Sequence, residues 1–489
     1  MSGRPELETW LGIDWQAVGL TTGQIAELLL IPTMLVMGLQ NIVYFVQIIG
    51  TLRERIAHPL RVGTERDLWS LSDRQALAVS IIAPAYNEEL TITESLRSLL
   101  SVNYPDFEVI VVNDGSKDRT VEVLIEAFDL VPRSREKLAH IHHQPVKKIY
   151  GSPTHPNLIV IDKQNGRKAD AANTGICFAR NPLICVIDAD SLIDTDAMLR
   201  VTQPFLSDDG NVIAAGGNIR LTNGSTIKGG RLVEVGFPAN WWARFQVLEY
   251  LRAFMVSRVS FARWSMLMLI SGAFGVFRRD AVVRVGGFEH GTVGEDLELV
   301  VRLHRDAHER GQPGRIVHVP DAICWTEAPF NYGGLSNQRA RWTQGGIEVL
   351  VKHREMMFNS SYGRAGAIGL PLVLLETVCA PLFELFSYFL LPVLFITDTQ
   401  GFTFVAVMIA MSLVMGTCVS LLAIGFEELQ QRRHEKFGHV LALIACAFLE
   451  NFGYRQLNFW FRLRGMLMWK NKNVAWATVE RKGFAGGKG

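Results

Sequence analysis

Carboxylates recur at the ends of short β-branched runs. Val79–Pro84 leads into Ala85-Tyr86-Asn87-Glu88, Val109–Asn113 into Asp114-Gly115-Ser116, and Ile184–Asp188 into Ala189-Asp190. A fourth acidic site, Gly294-Glu295-Asp296, precedes an apolar helical run. Asp188 and Asp190 bracket one residue, so both carboxylates can converge on a hard divalent cation such as Mg2+ or Mn2+. Such a cation keeps open positions for phosphates and neutralises a diphosphate leaving group. Glu88 and Asp114 are acceptors suited to a ribose or a base. Lys168, in Asn165-Gly166-Arg167-Lys168-Ala169, offers a cation to phosphate. Asp296 suits a general base, and it suits a helix N-cap equally well. A lone Asp-x-Asp is common by chance, and Asp-Gly-Ser is most often a turn. Recurrence at three strand ends is what carries the reading.

Those strands, with Leu158–Asp162 and Val212–Ala215, alternate with helical runs and so predict an α/β domain. In open parallel sheets, ligands bind at the carboxyl ends of strands, where the acidic residues lie. The chain has 489 residues, 48% hydrophobic and 20% charged, with net charge +1. This argues against intrinsic disorder and against a strongly basic nucleic-acid binder. Six cysteines without a CxxC pair predict neither a disulfide framework nor a zinc site. His140, His142, His143 and His155 lie in a polar, Pro-containing stretch and read as a solvated loop.

The apolar residues are concentrated. Leu28–Ile49 carries no charge and exceeds the ~20 residues that cross a bilayer. Arg4 is the one cation before it, whereas Arg53, Arg55, Arg61, Arg66 and Arg74 follow, which puts the N-terminus outside and residue 51 onward inside. Residues 365–397 would extend ~50 Å as one helix, and Pro371 and Pro381 suggest an interface helix near 367–379 followed by a span over 381–397. Residues 401–426 form a charge-free span, followed by Arg432, Arg433 and Lys436. Residues 440–468 contain Glu450 and Arg455 and end in basic residues. A broken hairpin around Asn451-Phe452-Gly453 would return the tail to the cytoplasm. The intramembrane charges fit either a polar tunnel or a Glu450–Arg455 structural pair. Within the α/β region, 240–264 interleaves Trp241, Trp242, Phe245 and Phe254 with Arg244, Arg252, Arg258 and Arg263, as an amphipathic interface helix would.

The segments APAYNEE, VVNDGSKDRT, DKQNGRKADAANTGI, VIDADS, ISGAFGVFRRDAVVRVGGF, VGEDLELVVRLHR and Gln338-Arg339-Ala340-Arg341-Trp342 occur in that order. Together they resemble glycosyltransferase family 2, in its membrane-embedded processive branch, over residues 79–481. Chain order most resembles the poly-β-1,6-N-acetylglucosamine synthases, with cellulose, chitin and hyaluronan synthases more distant. The resemblance implies a GT-A-type fold, a Rossmann-like mixed α/β sheet in a cytoplasmic domain over 79–360, joined to α-helical transmembrane and interface helices over 24–50 and 365–468. It implies that Ala83, Tyr86, Glu88, Asp114, Lys168 and Asp188 bind the nucleotide. Asp188 and Asp190 would hold the metal, and Asp296, with Glu295 beside it, would act as base. Gln338, Arg341, Trp342, Ser271 and Gly272 would lie where diphosphate and acceptor meet. Trp476, Thr478 and Arg481 resemble a gating loop with its glycine replaced by Ala477 and its arginine displaced.

The implied reaction is inverting transfer from UDP-N-acetylglucosamine or UDP-glucose to a β-linked glycan, in a multi-pass inner-membrane protein. The bilayer and an accessory export or small membrane subunit are the expected partners, with no nucleic acid. Single transfer to a lipid acceptor and an inactive membrane scaffold are the rival readings.

Overall fold

A computed structural model describes residues 15–57, 76–207, 211–312, 314–397, 399–431 and 437–469. Val79, Ile81, Ala83 and Ala85 face one side of strand β1 (Val79–Ala85), Ile82 faces the other, and none is more than 1% exposed. A strand buried on both faces reads as a continuous apolar run, as a parallel core strand must. β1 pairs in parallel with β2 (Phe107–Asn113) and with β6 (Leu183–Ile187), and β2 pairs in parallel with β5 (Leu158–Lys163).

The chain builds β1, β2 and β5 outward, then returns to place β6 on the other flank of β1. This reversal opens a crevice at the carboxyl ends of β1 and β6. Residues 86–88 and 188–190 both leave the sheet there.

Beyond β6 the sheet becomes mixed. β11 (Phe274–Arg278) lies antiparallel between β6 and β8 (Val212–Leu221), β12 (Arg315–Thr326) runs parallel to β8, and β7 (Leu192–Ile193) closes that edge. β4 (Val146–Gly151) and β3 (Val131–Pro132) extend the opposite edge antiparallel. A small hairpin, β9 (Thr226–Lys228) with β10 (Arg231–Glu234), stands apart. This is the expected Rossmann-like mixed α/β sheet. Some strands of this mixed part escape a search for apolar runs. β12 carries Pro320-Asp321 within a register shift between Val319 and Ile323, and β4, next to the edge strand β3, exposes two lysines.

Helices cover both faces. The helix Lys168–Phe178 packs so closely that a Cβ on Gly175 would overlap the side chain of Ile82. A lysine is buried beneath its first turn. Lys163 is 0% exposed, and its Nζ lies 2.6 Å from Asp114 Oδ1 and 2.5 Å from Asp170 Oδ1.

Among the described residues, three helices are long and apolar enough to cross a membrane: Gln24–Ala57, Ala365–Ile396 and Gln400–Leu429. The second is continuous, where the prolines suggested an interface helix and a separate span. Widened turns at Ala365–Gly369 and Leu375–Cys379 flank Pro371 and precede Pro381, and so absorb both residues without a break. A further apolar pair, Phe437–Leu449 and Tyr454–Met468, bends by 62° at Gly453, whose φ is +99°. That conformation favours glycine. Residues 241–263 are helical throughout, with a widened turn at Arg252–Ser257. Leu248, Leu251, Met255 and Val256 pack there against Val419, Ala423 and Leu443 of the apolar helices. These four residues of the segment are packed by protein, whereas Trp241 at its start is 51% exposed.

Replacing Lys163 with Met should cost about 3–5 kcal/mol, because it leaves Asp114 and Asp170 buried without their cation. Denaturant unfolding of the purified protein measures this, and a midpoint equal to wild type would contradict it.

Candidate functional site

The crevice at the ends of β1 and β6 is crossed by one cation. Lys168 Nζ, at the start of its helix, lies 2.5 Å from Asp188 Oδ1 and 4.0 Å from Glu295 Oε1, and donates to the Gly272 carbonyl at 3.4 Å. Asp296 is held at the same place. Its Oδ2 accepts from Gly272 N–H at 3.1 Å and its Oδ1 from Leu297 N–H at 2.8 Å. Asp188, Lys168, Gly272, Glu295 and Asp296 therefore form one connected cluster from four separate segments. A cavity of about 10 Å³, room for roughly one water, opens beside it and is lined by Ser271, Gly272, Lys168 and both acids.

The electrostatics follow from this crowding. Burial alone would lower the Lys168 ammonium pKa, but the Asp188, Glu295 and Asp296 carboxylates outweigh burial and raise it. Burial pushes the Glu295 carboxyl up to about 7, with Asp296 adding to the rise and Lys168 opposing it.

Asp190 is half-buried, two residues beyond Asp188. The pair is an oxygen-only donor set at a strand end, which fits a hard divalent cation. The remaining predicted residues are placed as follows. Ala83 is buried within β1, and Tyr86 is 41% exposed at the rim. Glu88 N–H donates to Thr120 Oγ1 at 2.9 Å, and Glu88 Oε2 accepts from Thr91 Oγ1 at 2.8 Å. Asp114 is 2% exposed and accepts from Lys163 Nζ, Gly166 N–H and Arg167 N–H, at 2.6, 2.9 and 2.7 Å. Those bonds tie the loop before Lys168 to β2, and Arg167 adopts a φ of +75° in that loop.

Gln338, Arg341 and Trp342 lie on the helix Tyr332–Lys352, which passes behind the Glu295-Asp296 turn. Gln338 Oε1 is buried without a hydrogen-bond partner among the described residues, and Trp342 is 48% exposed. Trp342 faces a second cavity of about 380 Å³ bounded by this helix, the 241–263 segment and the apolar helices. Arg339 stacks over the Trp342 ring at 4.4 Å and pairs with Glu249. Arg455 Nε pairs with Glu384 Oε1 at 2.6 Å, and Glu450 pairs with Arg252. The Glu450–Arg455 pair suggested by the sequence is therefore replaced by two pairs that reach across segments. Trp476, Thr478 and Arg481 lie outside the described residues.

Three features escaped the sequence reading. Arg258 stacks over Phe254 at 3.8 Å, and its Nε is buried with no hydrogen-bond partner among the described residues. Burial lowers its pKa to about 10, against the pull of Asp296. Lys163 is the buried counter-ion described above. His142, Asp170 and His290 come close enough to share a metal ion, although both oxygens of Asp170 already accept from Gln144 N–H and Oδ1 also meets Lys163. Long-range partners such as these leave no periodic signal in a sequence.

The sequence profile of glycosyltransferase-like family 2 matches residues 76–345, a stretch that ends inside the Tyr332–Lys352 helix. The chain belongs to this family. Among curated family relatives, the poly-beta-1,6-N-acetyl-D-glucosamine synthase of Staphylococcus epidermidis is 31% identical over 279 residues, 57% of each chain. The synthase of the same name from Staphylococcus aureus (strain COL) is 30% identical over 275 residues, 56% of each. The match thus spans little more than half the length of these relatives. Among solved structures, the mannosyltransferase PcManGT of Pyrobaculum calidifontis, in complex with GDP-Man and Mn2+, aligns with a TM-score of 0.46 at 18% identity, over 86% of this chain and 99% of its own. The S. aureus TarS 1-349 structure with UDP-GlcNAc aligns with a TM-score of 0.37 at 15% identity, over 78% and 92%.

Folded protein holds the Glu295 proton up to about pH 7, whereas an unfolded glutamate releases it near 4.5. Unfolding between those values releases a proton, so rising pH weakens the fold. Stability measured across that window should fall for wild type relative to Glu295→Gln. Parallel curves for the two proteins would contradict the assignment.

Proposed function

We propose that the chain is an inverting, metal-dependent glycosyltransferase that extends a β-linked polysaccharide from a UDP-sugar and passes the product into its membrane region. The single observation that carries this is the contiguity of the Asp188–Lys168–Glu295–Asp296 cluster with the helix whose Trp342 lines the larger cavity. The polymer reading is favoured over single transfer to a lipid because charged side chains, Glu249, Arg252, Glu384, Glu450 and Arg455, line that cavity. Membrane cavities of this kind are conduits for polar cargo. The named synthases are polymer-forming by their names, which makes UDP-N-acetylglucosamine the first donor to test.

Asp188 and Asp190 would hold Mg2+ or Mn2+, which when bound neutralises diphosphate charge. Tyr86, Glu88 and the Asp114-braced loop bound the nucleotide pocket. Asp296 accepts the proton of the acceptor hydroxyl. The hydroxyl oxygen then bonds to the anomeric carbon from the side opposite UDP, and the carbon–oxygen bond to diphosphate breaks with its electron pair leaving on UDP. Lys168 and Arg341 stabilise the departing charge. Ser271 and Gly272 border the reacting centre, and the Gly272 amide fixes the Asp296 carboxylate. Trp342 stacks on the acceptor sugar where it enters the cavity. The positive-inside pattern supports a catalytic domain in the cytoplasm, under an inner membrane. Trp476, Thr478 and Arg481 would gate the entrance from the tail.

With radiolabelled UDP-N-acetylglucosamine, Mn2+ and protein in detergent, wild type should release UDP and form β-linked product of high mass on a gel. Asp296→Asn should lower turnover by about 10²–10⁴-fold while still binding UDP. Full turnover by Asp296→Asn would remove the base assignment. A product of one sugar on lipid would replace the polymer reading, and an enzyme inert toward every UDP-sugar would support the scaffold.

A further inference from the structure

The Glu295-Asp296 turn is gripped from behind by the Tyr332–Lys352 helix. Glu348 Oε2 accepts from Val293 N–H at 2.9 Å and from Thr292 Oγ1 at 3.1 Å. Thr292 Oγ1 in turn accepts from Gly294 N–H at 3.3 Å. Gln344, 2% exposed, donates to Glu348 Oε1 at 3.1 Å and fixes the carboxylate from its own helix. One carboxylate thus accepts from Thr292 and Val293 directly and reaches Gly294 through the Thr292 hydroxyl.

The second grip is steric. Gly294 and Gly345 cross with backbone against backbone. A Cβ on Gly345 would lie 2.8 Å from Gly294 Cα and N, and a Cβ on Gly294 would lie 3.1 Å from Gly345 Cα, C and O. Only two glycines allow this approach without a shift. A third grip lies one turn further along the helix Glu295–Glu309. Glu298, fully buried, accepts from Lys352 Nζ at 3.0 Å and His353 Nε2 stands 3.2 Å from it. The helix whose first half carries Gln338, Arg341 and Trp342 therefore holds the base helix at three successive points with its second half.

We propose that Glu348, with the Gly294–Gly345 crossing, is a positioning element that sets Asp296 relative to the acceptor-side helix, so that the base and the residues facing the acceptor move as one body. This rests on the assignment of Asp296 as base. Glu348 touches neither Asp296 nor the second cavity, so its effect must pass through the backbone of 292–294. A displacement of about 1 Å at the reacting group can cost a hundredfold in rate while ligand binding elsewhere survives.

The test compares wild type, Glu348→Ala, Glu348→Gln, Gly345→Ala and Asp296→Asn as full-length protein in detergent. Steady-state UDP release from UDP-N-acetylglucosamine gives kcat and KM, and calorimetry with UDP and Mn2+ gives donor-side affinity. Glu348→Ala should lower kcat by about ten- to a hundredfold and leave UDP affinity within about twofold. Glu348→Gln, whose amide oxygen can still accept from Val293 N–H, should recover most of the loss. Gly345→Ala should resemble Glu348→Ala. If Glu348→Ala keeps wild-type kcat while Asp296→Asn is inactive, the positioning role is wrong and the base stands. If Asp296→Asn remains active, the base assignment falls and takes this proposal with it. If Glu348→Ala loses UDP affinity in step with kcat, or Gln fails to recover it, Glu348 supports the fold in general and the proposal is overturned.

Discussion

Lys168 among its carboxylates is the interaction on which the site depends. Asp188, Glu295 and Asp296 come from a strand end and a helix start that are far apart in sequence. Three carboxylates cannot share so small a volume without a cation, since like charges within a few ångströms repel strongly and shift one another's titration. The first turn of the Lys168 helix supplies that cation, 2.5 Å from Asp188. The loop before it is in turn fixed through Asp114 by two backbone N–H groups and the buried Lys163. The reversal of strand order at β1 is what brings Asp188 opposite this helix.

The Tyr332–Lys352 helix is the second organising element. Glycines at 345 and 346 let its C-terminal half approach the Glu295 turn and the Ala365–Ile396 helix, where a Cβ on Gly346 would lie 2.9 Å from Thr377 Cγ2. Its N-terminal half carries Arg339 and Trp342 to the cavity wall. One rigid helix therefore spans from the carboxylate cluster to the membrane region, and Gly465 of the bent apolar pair packs directly on Ala340 at its centre. Around the cavity, each of Glu249, Glu384 and Glu450 faces an arginine, which offsets the cost of holding charge among apolar helices.

The parallel strands and the acidic residues at their ends were legible because a strand buried on both faces is a continuous apolar run that stops where the ligand side begins. The family motifs added the nucleotide and acceptor assignments. β11 and β12 were not legible, because one lies within a Gly- and Arg-rich motif and the other is interrupted by Pro320 at a bulge. Local pattern also misjudged the prolines at 371 and 381, which the widened turns accommodate. The partners of Glu450 and Arg455 were out of reach for a different reason. Five residues apart in sequence, they look like a natural pair, yet each meets a residue that only the tertiary fold brings near. Glu348 carries no motif signal at all, and its role emerges from the backbone it holds.

In the proposed function, sugar transfer at the Lys168 cluster feeds a glycan into the cavity between the apolar helices. The most direct measurement uses protein reconstituted in sealed vesicles with the catalytic domain outward, given radiolabelled UDP-N-acetylglucosamine and Mn2+ outside. The expected result is high-mass product that a glycosidase added outside cannot digest until detergent opens the vesicles. Product that is fully digested before detergent, or that consists of single sugars on lipid, would contradict it.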